Sequence, residues 1–338
     1  MKLTVAYFMR RLFALLLLLA IIPGVLWRDA PRVGTGRSSV VLHPLALPPE
    51  ARGGSLLGPF TLAGAWWIQG PKEGFGGYSA LLPIAQDKLL AISDGANLME
   101  LPLPGSGGTP QLRALPVNPY DRRFGRDVEF ATRDPTTGTL WFGWELSNTI
   151  SRHGPDFART GMARPGAMRG WSQNLGPEAM VRLADGRFIV LHEAFSSWRD
   201  WRLHDGLIFA ADPVTGSHPQ PFTFAGADGF RPTDMAALPD GRVLILMRQM
   251  TWPVPIRFAG RIVLADPAEI VPGKLWAGVT LARIEDPLPR DNFEGMAIVP
   301  RGDGKLDVWL ISDDNSAAFQ RTLLWRLVLD PKDLPPRR

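Results

Sequence analysis

Five times along the chain, two apolar runs flank a tight polar turn, with acidic or polar residues where the first run begins and the second ends. The clearest copy is Asp291-Asn292-Phe293-Glu294-Gly295-Met296-Ala297-Ile298-Val299-Pro300, then a Gly-Asp-Gly-Lys turn at 302–305, then Asp307-Val308-Trp309-Leu310-Ile311-Ser312-Asp313-Asp314-Asn315. Earlier copies run from Tyr78-Ser79 to Ser93-Asp94, from Asp127-Val128-Glu129 to Glu145, from Pro177-Glu178 to His192-Glu193, and from Thr233-Asp234 to Arg248-Gln249. Asp-Gly between apolar runs is a strong hairpin signal, and it occurs at Asp185-Gly186 and Asp240-Gly241. The leading positions Ser79, Glu129, Glu178, Asp234 and Glu294 recur at intervals of about 50 residues or slightly more, which is propeller spacing. The intervals also hold further candidate strands, at 206–210 and 220–225 in the third copy and at 261–265 and 274–284 in the fourth. Four strands per repeat make one blade. The fifth copy has only one further strand, 322–329, and an early strand at 60–68 can complete it. That closure would join both ends of the chain in one blade and hide the exposed edges. The expected fold is all-β: a β-propeller of five to six four-stranded blades, preceded by an N-terminal signal or anchor helix. A degenerate sixth blade would have to lie between Val40 and Gln69.

The 338 residues suit one large domain of this kind. Gly (35) and Pro (32) are scattered, as many short strands and turns require. The N-terminus differs. Lys2, Arg10 and Arg11 precede an apolar run from Leu12 to Trp27, broken by Pro23-Gly24, and this is the pattern of an export signal or signal anchor. Its basic residues place the body of the chain outside the cytoplasm. The expected organisation is a signal peptide or anchor over 1–28, a Pro/Gly-rich linker over 29–58 and a propeller domain over 59–332. The domain is expected to be periplasmic or secreted, and held at the inner membrane if the segment stays uncleaved. The absence of Cys excludes disulfides, thiolate zinc sites and cysteine nucleophiles. A net charge of +4 without a Lys/Arg tract argues against nucleic-acid binding, and the chain is expected to be a monomer.

In a blade the innermost strand lines the channel and the second runs back beside it. One channel mouth would therefore gather Tyr78, Ser79, Asp127, Glu129, Glu178, Asp234, Asn292 and Glu294 from first strands. Second strands would add Asp94, Glu145, His192, Glu193, Arg248, Asp313, Asp314 and Asn315. So many carboxylates require compensation by a cation or by arginines, and Arg126, Arg231, Arg248, Arg290 and Arg321 are available. Carboxylates are hard ligands suited to Ca²⁺ or Mg²⁺; the candidate metal ligands are Glu129, Glu178, Asp234, Glu294, Asp313 and Asp314. The same acids also suit an architectural role, each accepting amide hydrogen bonds from the next blade, and both readings stay open. His192 and Glu193 form the best-placed acid/base pair. Arg248 and Arg321 are suited to hold an anionic group, and these four are the candidate catalytic residues. Gly-x-Ser-x-Gly, His-Glu-x-x-His and Walker motifs are missing, and no organic cofactor is expected. His153, His204 and His218 fall in expected loops and His43 in the linker. Long loops at 152–174 and 196–205 carry Trp171, Trp198 and Trp201, which could stack on a ligand.

At these residues the chain resembles the phytase-like family, which is named for the esterase-like activity of phytase. The resemblance rests on the 291–297 motif, on Ser312-Asp313-Asp314-Asn315 with Gln320-Arg321-Thr322-Leu323-Leu324, and on Phe75-Gly76-Gly77-Tyr78-Ser79 with Ser93-Asp94. It extends to Glu178-Ala179 with Leu183-Ala184-Asp185-Gly186-Arg187, and to Leu238-Pro239-Asp240-Gly241-Arg242. It implies an exported bacterial β-propeller that hydrolyses small anionic phosphoesters or carboxylic esters. The alternative is a non-catalytic, membrane-anchored propeller that binds a protein or glycan partner. Two copies depart from the pattern: the first has Tyr78-Ser79 without an acid, and the fourth ends at Arg248.

Overall fold

The computed structural model describes residues 9–13, 40–52, 54–71, 73–116, 127–251, 257–317 and 320–337. Strands β1 (Val41–Pro44) and β2 (Phe60–Gln69) come first in the chain but belong to the last blade. Blade one is β3 (Tyr78–Ala85), β4 (Lys88–Ser93), β5 (Asn97–Pro102) and β6 (Gln111–Ala114). Blade two is β7 (Val128–Arg133), β8 (Leu140–Trp144), β9 (Thr149–His153) and β10 (Arg159–Ala163). Blade three is β11 (Pro177–Arg182), β12 (Phe188–Phe195), β13 (Leu203–Phe209) and β14 (Gln220–Ala225), with the short β18 (Leu275–Ala277) added in parallel to β14. Blade four is β15 (Arg231–Ala237), β16 (Val243–Thr251), β17 (Arg257–Ala265) and β19 (Val279–Ile284). Blade five runs outward from β20 (Asn292–Pro300) through β21 (Leu306–Asp313) and β22 (Thr322–Leu329) to β2 and β1. The innermost strands contact one another in the cyclic order β3, β7, β11, β15, β20 and back to β3. The ring is closed by five blades.

Position in the blade explains the sequence pattern. The inner strands are covered on both faces by neighbouring blades, so β20 is buried along all but its last residue and β21 throughout. Such strands read as continuous apolar runs. The outer β2 alternates between buried and exposed over its first half, as a strand with one wet face should. Gly295 marks how tightly the ring closes. A Cβ there would lie 2.8 Å from the Ala80 carbonyl carbon and 2.9 Å from the Leu81 nitrogen, so blade five meets the backbone of blade one with no room for a side chain.

The 60–68 strand completes the fifth blade as expected, and the Val40–Gln69 region supplies its outer strands rather than a sixth blade. Part of the stretch expected as linker is ordered against blades four and five: Leu57 and Ala51 are fully buried in the core those blades share, and the Leu56 carbonyl accepts from the Arg283 amide of β19. The expected strand at 274–284 is two strands, split between blades three and four at Gly278, where a Cβ would lie 2.2 Å from Val263 Cγ1. The loop expected at 152–174 contains β10, and His153 and His204 sit in strands with buried side chains. Among the described residues no helix is long and apolar enough to cross a membrane. Apart from helical residues 9–13, the apolar N-terminal run lies outside them.

Candidate functional site

Each innermost strand carries a β-bulge at the same place. One residue has no partner on the neighbouring strand: Ser79 in β3, Glu129 in β7, Glu178 in β11, Thr233 in β15 and Glu294 in β20. A bulge turns one side chain out of the strand's alternation and raises the local twist. Here it defines an inner ring of Ser, Glu, Glu, Thr and Glu at one mouth of the channel. On the second strands the corresponding positions are Asp94, Glu145, Glu193, Arg248 and Asp313. At the far end of the channel no acid among the described residues lines the cavity of about 570 Å³ found there. It is walled mostly by apolar residues such as Pro83, Ile84, Ala237, Ile298 and Val299, with Gln86, Thr132, Arg133 and Arg182 also on its wall.

One arginine organises half of the acidic mouth. Arg248 Nη2 donates to Glu193 Oε1 at 3.3 Å and to Glu178 Oε1 at 3.5 Å, and its Nε lies 3.2 Å from Glu294 Oε1. Burial works against the Arg248 charge, but Glu294, Glu193 and Glu178 outweigh it and raise its pKa. Arg231 adds a second contact to Glu193 at 3.4 Å. The remaining charge is felt by the acids. Burial pushes the pKa of Glu178 well up, with Glu193 adding to the shift and Arg248 opposing it. Burial also raises Glu129, reinforced by Glu178, Asp127, Glu294 and Glu145. Burial raises Asp313 with help from Glu294, Asp94 and Asp314.

Glu145 has the most useful value. Burial drives its carboxyl up to about 7, although the Gly176 amide donates to Oε1 at 2.7 Å and opposes the rise. Gly176 has to be glycine for this contact, because a Cβ would stand 2.9 Å from Glu145 Cγ and 2.9 Å from Asn148 Oδ1. Among the described residues, two trios offer carboxylate oxygens that all lie within 4.8 Å of one another: Asp127, Glu129 and Glu145, and Glu145, Glu178 and Glu193.

The candidates from sequence fall into distinct environments. Glu129, Glu178 and Glu294 stand on the inner ring. Asp234 is one residue past the bulge, and its two oxygens accept the amides of Met235 at 2.8 Å and Met296 at 2.7 Å, bracing blade four against blade five. Asp314 is likewise taken up by protein groups, the Gly77 amide at 3.2 Å and the Thr322 hydroxyl at 2.9 Å. Asp313 shares the mouth and accepts the Asn315 amide at 2.6 Å. His192 is buried, with its ring stacked on Trp171 at 4.5 Å. Neither ring nitrogen makes a hydrogen bond of ordinary geometry, and Asp205 is 3.9 Å away. Burial lowers its pKa to about 4, so it is a neutral wall of the site at pH 7. Glu193 is held by the two arginines. Arg321 stands at the same rim, where its amide donates to Asp291 Oδ2 at 3.0 Å, while Arg290 pairs with Asp286 away from the acids. Arg126 lies outside the described residues. The metal candidates chosen from sequence did not include Asp127 or Glu145; their places at the start of a first strand and the end of a second were the available signal.

A family model described as "Phytase-like: Esterase-like activity of phytase" matches residues 73–316. No curated protein matches the chain. Among solved structures, the chain is similar to a luciferin-regenerating enzyme (11% identity over 86% of this chain and 91% of that one, TM-score 0.41). It is also similar to the PQQ-bound form of aldose sugar dehydrogenase from Streptomyces coelicolor (12% identity, 87% and 99%, TM-score 0.42). Identities this low say nothing about chemistry.

Proposed function

The chain belongs to the phytase-like family, and on that premise we propose that the acidic mouth is the active site of a phosphoester or carboxylic ester hydrolase working outside the cytoplasm. The observation that carries this reading is the convergence of two carboxylate trios from neighbouring blades. The donor set fits a hard divalent cation. Ca²⁺ binds oxygens at roughly 2.3–2.6 Å, so oxygens sharing one ion lie within about 5 Å of each other, and those of each trio do. The Asp127–Glu129–Glu145 trio is the better candidate, since Glu178 and Glu193 already share Arg248. A bound Ca²⁺ or Mg²⁺ would polarise the ester and make nearby water more acidic.

The chain's own groups supply the rest. Without a cation on it, Glu145 titrates near neutrality and can take a proton from water and return it to the leaving group; as a ligand its carboxyl would stay ionised. Its Oε1 is fixed by the Gly176 amide, which leaves Oε2 either to join Asp127 and Glu129 on a cation or to make that exchange. Arg248 holds Glu178, Glu193 and Glu294 in place rather than meeting substrate, which leaves Arg321 at the rim, with the half-buried Arg231 beside Glu193, for the anionic group. The Trp171–His192 stack walls the site with uncharged surface and limits water access. The basic-then-apolar N-terminal segment supports export. The test is release of p-nitrophenol from its phosphate and acetate esters by the full-length protein, with Ca²⁺ or Mg²⁺ and after chelation. Cation-dependent turnover of either ester is expected. Rates no higher than the buffer blank with every cation would sink the proposal.

A further inference from the structure

The hairpin tip between β12 and β13 presents two indoles to solvent, with Trp198 79% exposed and Trp201 57% exposed. It rises from the same end of β12 that carries His192 and Glu193 to the mouth. Neighbouring exposed apolar side chains rimmed by polar residues mark an interaction or ligand site, and the loop that carries these two is firmly built. The Ser196 amide donates to the Leu203 carbonyl at 2.8 Å, and Arg202 forks onto Asp200 at 2.8 and 2.7 Å. Trp201 Nε1 donates to the Trp198 carbonyl at 3.2 Å, and the Trp201 ring stacks on Phe195 with centroids 6.1 Å apart. The Gly229 and Gly226 amides tie the tip to the next loop through the Trp201 and Arg202 carbonyls. Arg199 covers Trp198 at 4.7 Å. The two indoles stand over a cleft of about 600 Å³ lined by Trp198, Arg199, Asp200, Trp201, Arg202 and Asp228.

The chemistry of that lining selects a ligand class. Two arginines and two aspartates balance, so no small ion is favoured. Arg202 and Asp200 satisfy each other, which leaves Arg199 and Asp228 as the polar groups beside the flat indole faces, and that suits a molecule with hydroxyl edges and C–H faces. A lipid surface suits it poorly, because insertion of the indoles would drag two aspartates out of water. We propose that this cleft is a saccharide-binding subsite in which a neutral pyranose ring lies on the free face of Trp201, with its hydroxyls hydrogen-bonded to Asp228 and Arg199. The volume lies within the ordinary range of small-molecule sites, roughly 300–1,000 Å³. The proposal is independent of hydrolysis at the mouth.

The test titrates full-length protein in mild detergent with cellohexaose, maltohexaose and chitohexaose, read by tryptophan fluorescence and calorimetry. Saturable binding of at least one is expected. Trp201→Ala and Asp228→Ala should each weaken it tenfold or more with the circular dichroism unchanged, whereas Trp201→Phe should keep most of it. Trp198→Ala, at the more exposed position, serves the same purpose if Trp201→Ala unfolds. The proposal is overturned if none of the three hexasaccharides binds, or if binding survives the alanine variants undiminished. Partition onto phosphatidylglycerol vesicles that requires Trp198 and Trp201, without saccharide binding, also overturns it.

Discussion

Replacing Arg248 with leucine removes the guanidinium that Glu178, Glu193 and Glu294 share at 3.2–3.5 Å while keeping an apolar side chain in its space. Deleting one partner of a buried ion cluster costs about 3–5 kcal/mol, because the charges left behind are buried and unpaired. Two like charges about 4 Å apart repel by about 4 kcal/mol at an effective dielectric constant near 20, so the three glutamates cannot all remain ionised. They would bind protons instead, raising further the pKa of Glu178 that burial and Glu193 already push up. A carboxyl with a raised folded-state pKa binds more protons folded than unfolded. Its stabilisation is therefore complete below the ordinary carboxyl value and is lost as pH climbs through the raised one. The cost of Arg248→Leu should accordingly depend on pH: about 3–5 kcal/mol at pH 7.5, falling to about 1 kcal/mol near pH 4.5, where protons replace the arginine. Urea unfolding of both proteins, followed by circular dichroism at several pH values between these, measures the difference. An equal loss at both ends of the range would mean that packing, not charge, is what the arginine supplies. A loss under about 1 kcal/mol at pH 7.5 would mean that the glutamates do not depend on it. Either result refutes the electrostatic account of the mouth.

Glu145→Gln should flatten the stability–pH curve between pH 4.5 and about 7, where the wild-type carboxyl loses its proton. The wild-type protein should lose about 2–3 kcal/mol across that window from this group, and thermal melts at matched ionic strength will show whether it does. Glu129→Gln should weaken Ca²⁺ binding at least tenfold in calorimetry on chelator-treated protein, about 1.4 kcal/mol; unchanged affinity would remove Glu129 from the ligand set. Asp234→Asn should cost about 1–3 kcal/mol of stability, since one of its two amide partners then faces an NH₂ group. Its Ca²⁺ affinity should stay at the wild-type value, and a large drop would mean that Asp234 is a ligand after all.

The propeller was legible because its two inner strands per blade are covered on both faces, and burial on both sides writes an unbroken apolar run. Outer strands such as β10 and β18 are short and partly wet, so they left little trace, and the 152–174 stretch read as loop. The bulge was hidden for a different reason. In three blades the bulged residue is a glutamate, and lining the copies up on their acids put Asp234 in register with Glu178 and Glu294. The backbone puts Thr233 there, and the one-residue offset changes the role: the Thr233 hydroxyl donates to the Leu246 and Phe293 carbonyls, whereas Asp234 accepts the amides of Met235 and, across the blade boundary, Met296. An acid beside an apolar run looks the same in either position. Charge pairing was equally invisible, because Arg248 occupies an acid's place in the repeat and can be read as substrate anchor or counter-ion until distances are known.

Blade four breaks the repeat, and the break carries information about function. Where other blades place an acid on the second strand it has Arg248, and where three of them place a glutamate on the bulge it has Thr233. That exchange relieves repulsion, but only locally, since Arg248 reaches Glu178 and Glu193 in blade three and Glu294 in blade five. On the opposite side Asp127, Glu129 and Glu145 stay outside its ion pairs, and the last two have raised pKa values there. Acids that served only to tie blades together would be satisfied by amides, as Asp234 and Asp314 are and as one oxygen of Glu145 is, and would not need to share one arginine unequally. A mouth whose acids are paired on one side and crowded, with raised pKa values, on the other is costly as architecture. It becomes useful if that side holds a cation or a proton during a reaction, and the carboxylates of blade two are where either would go.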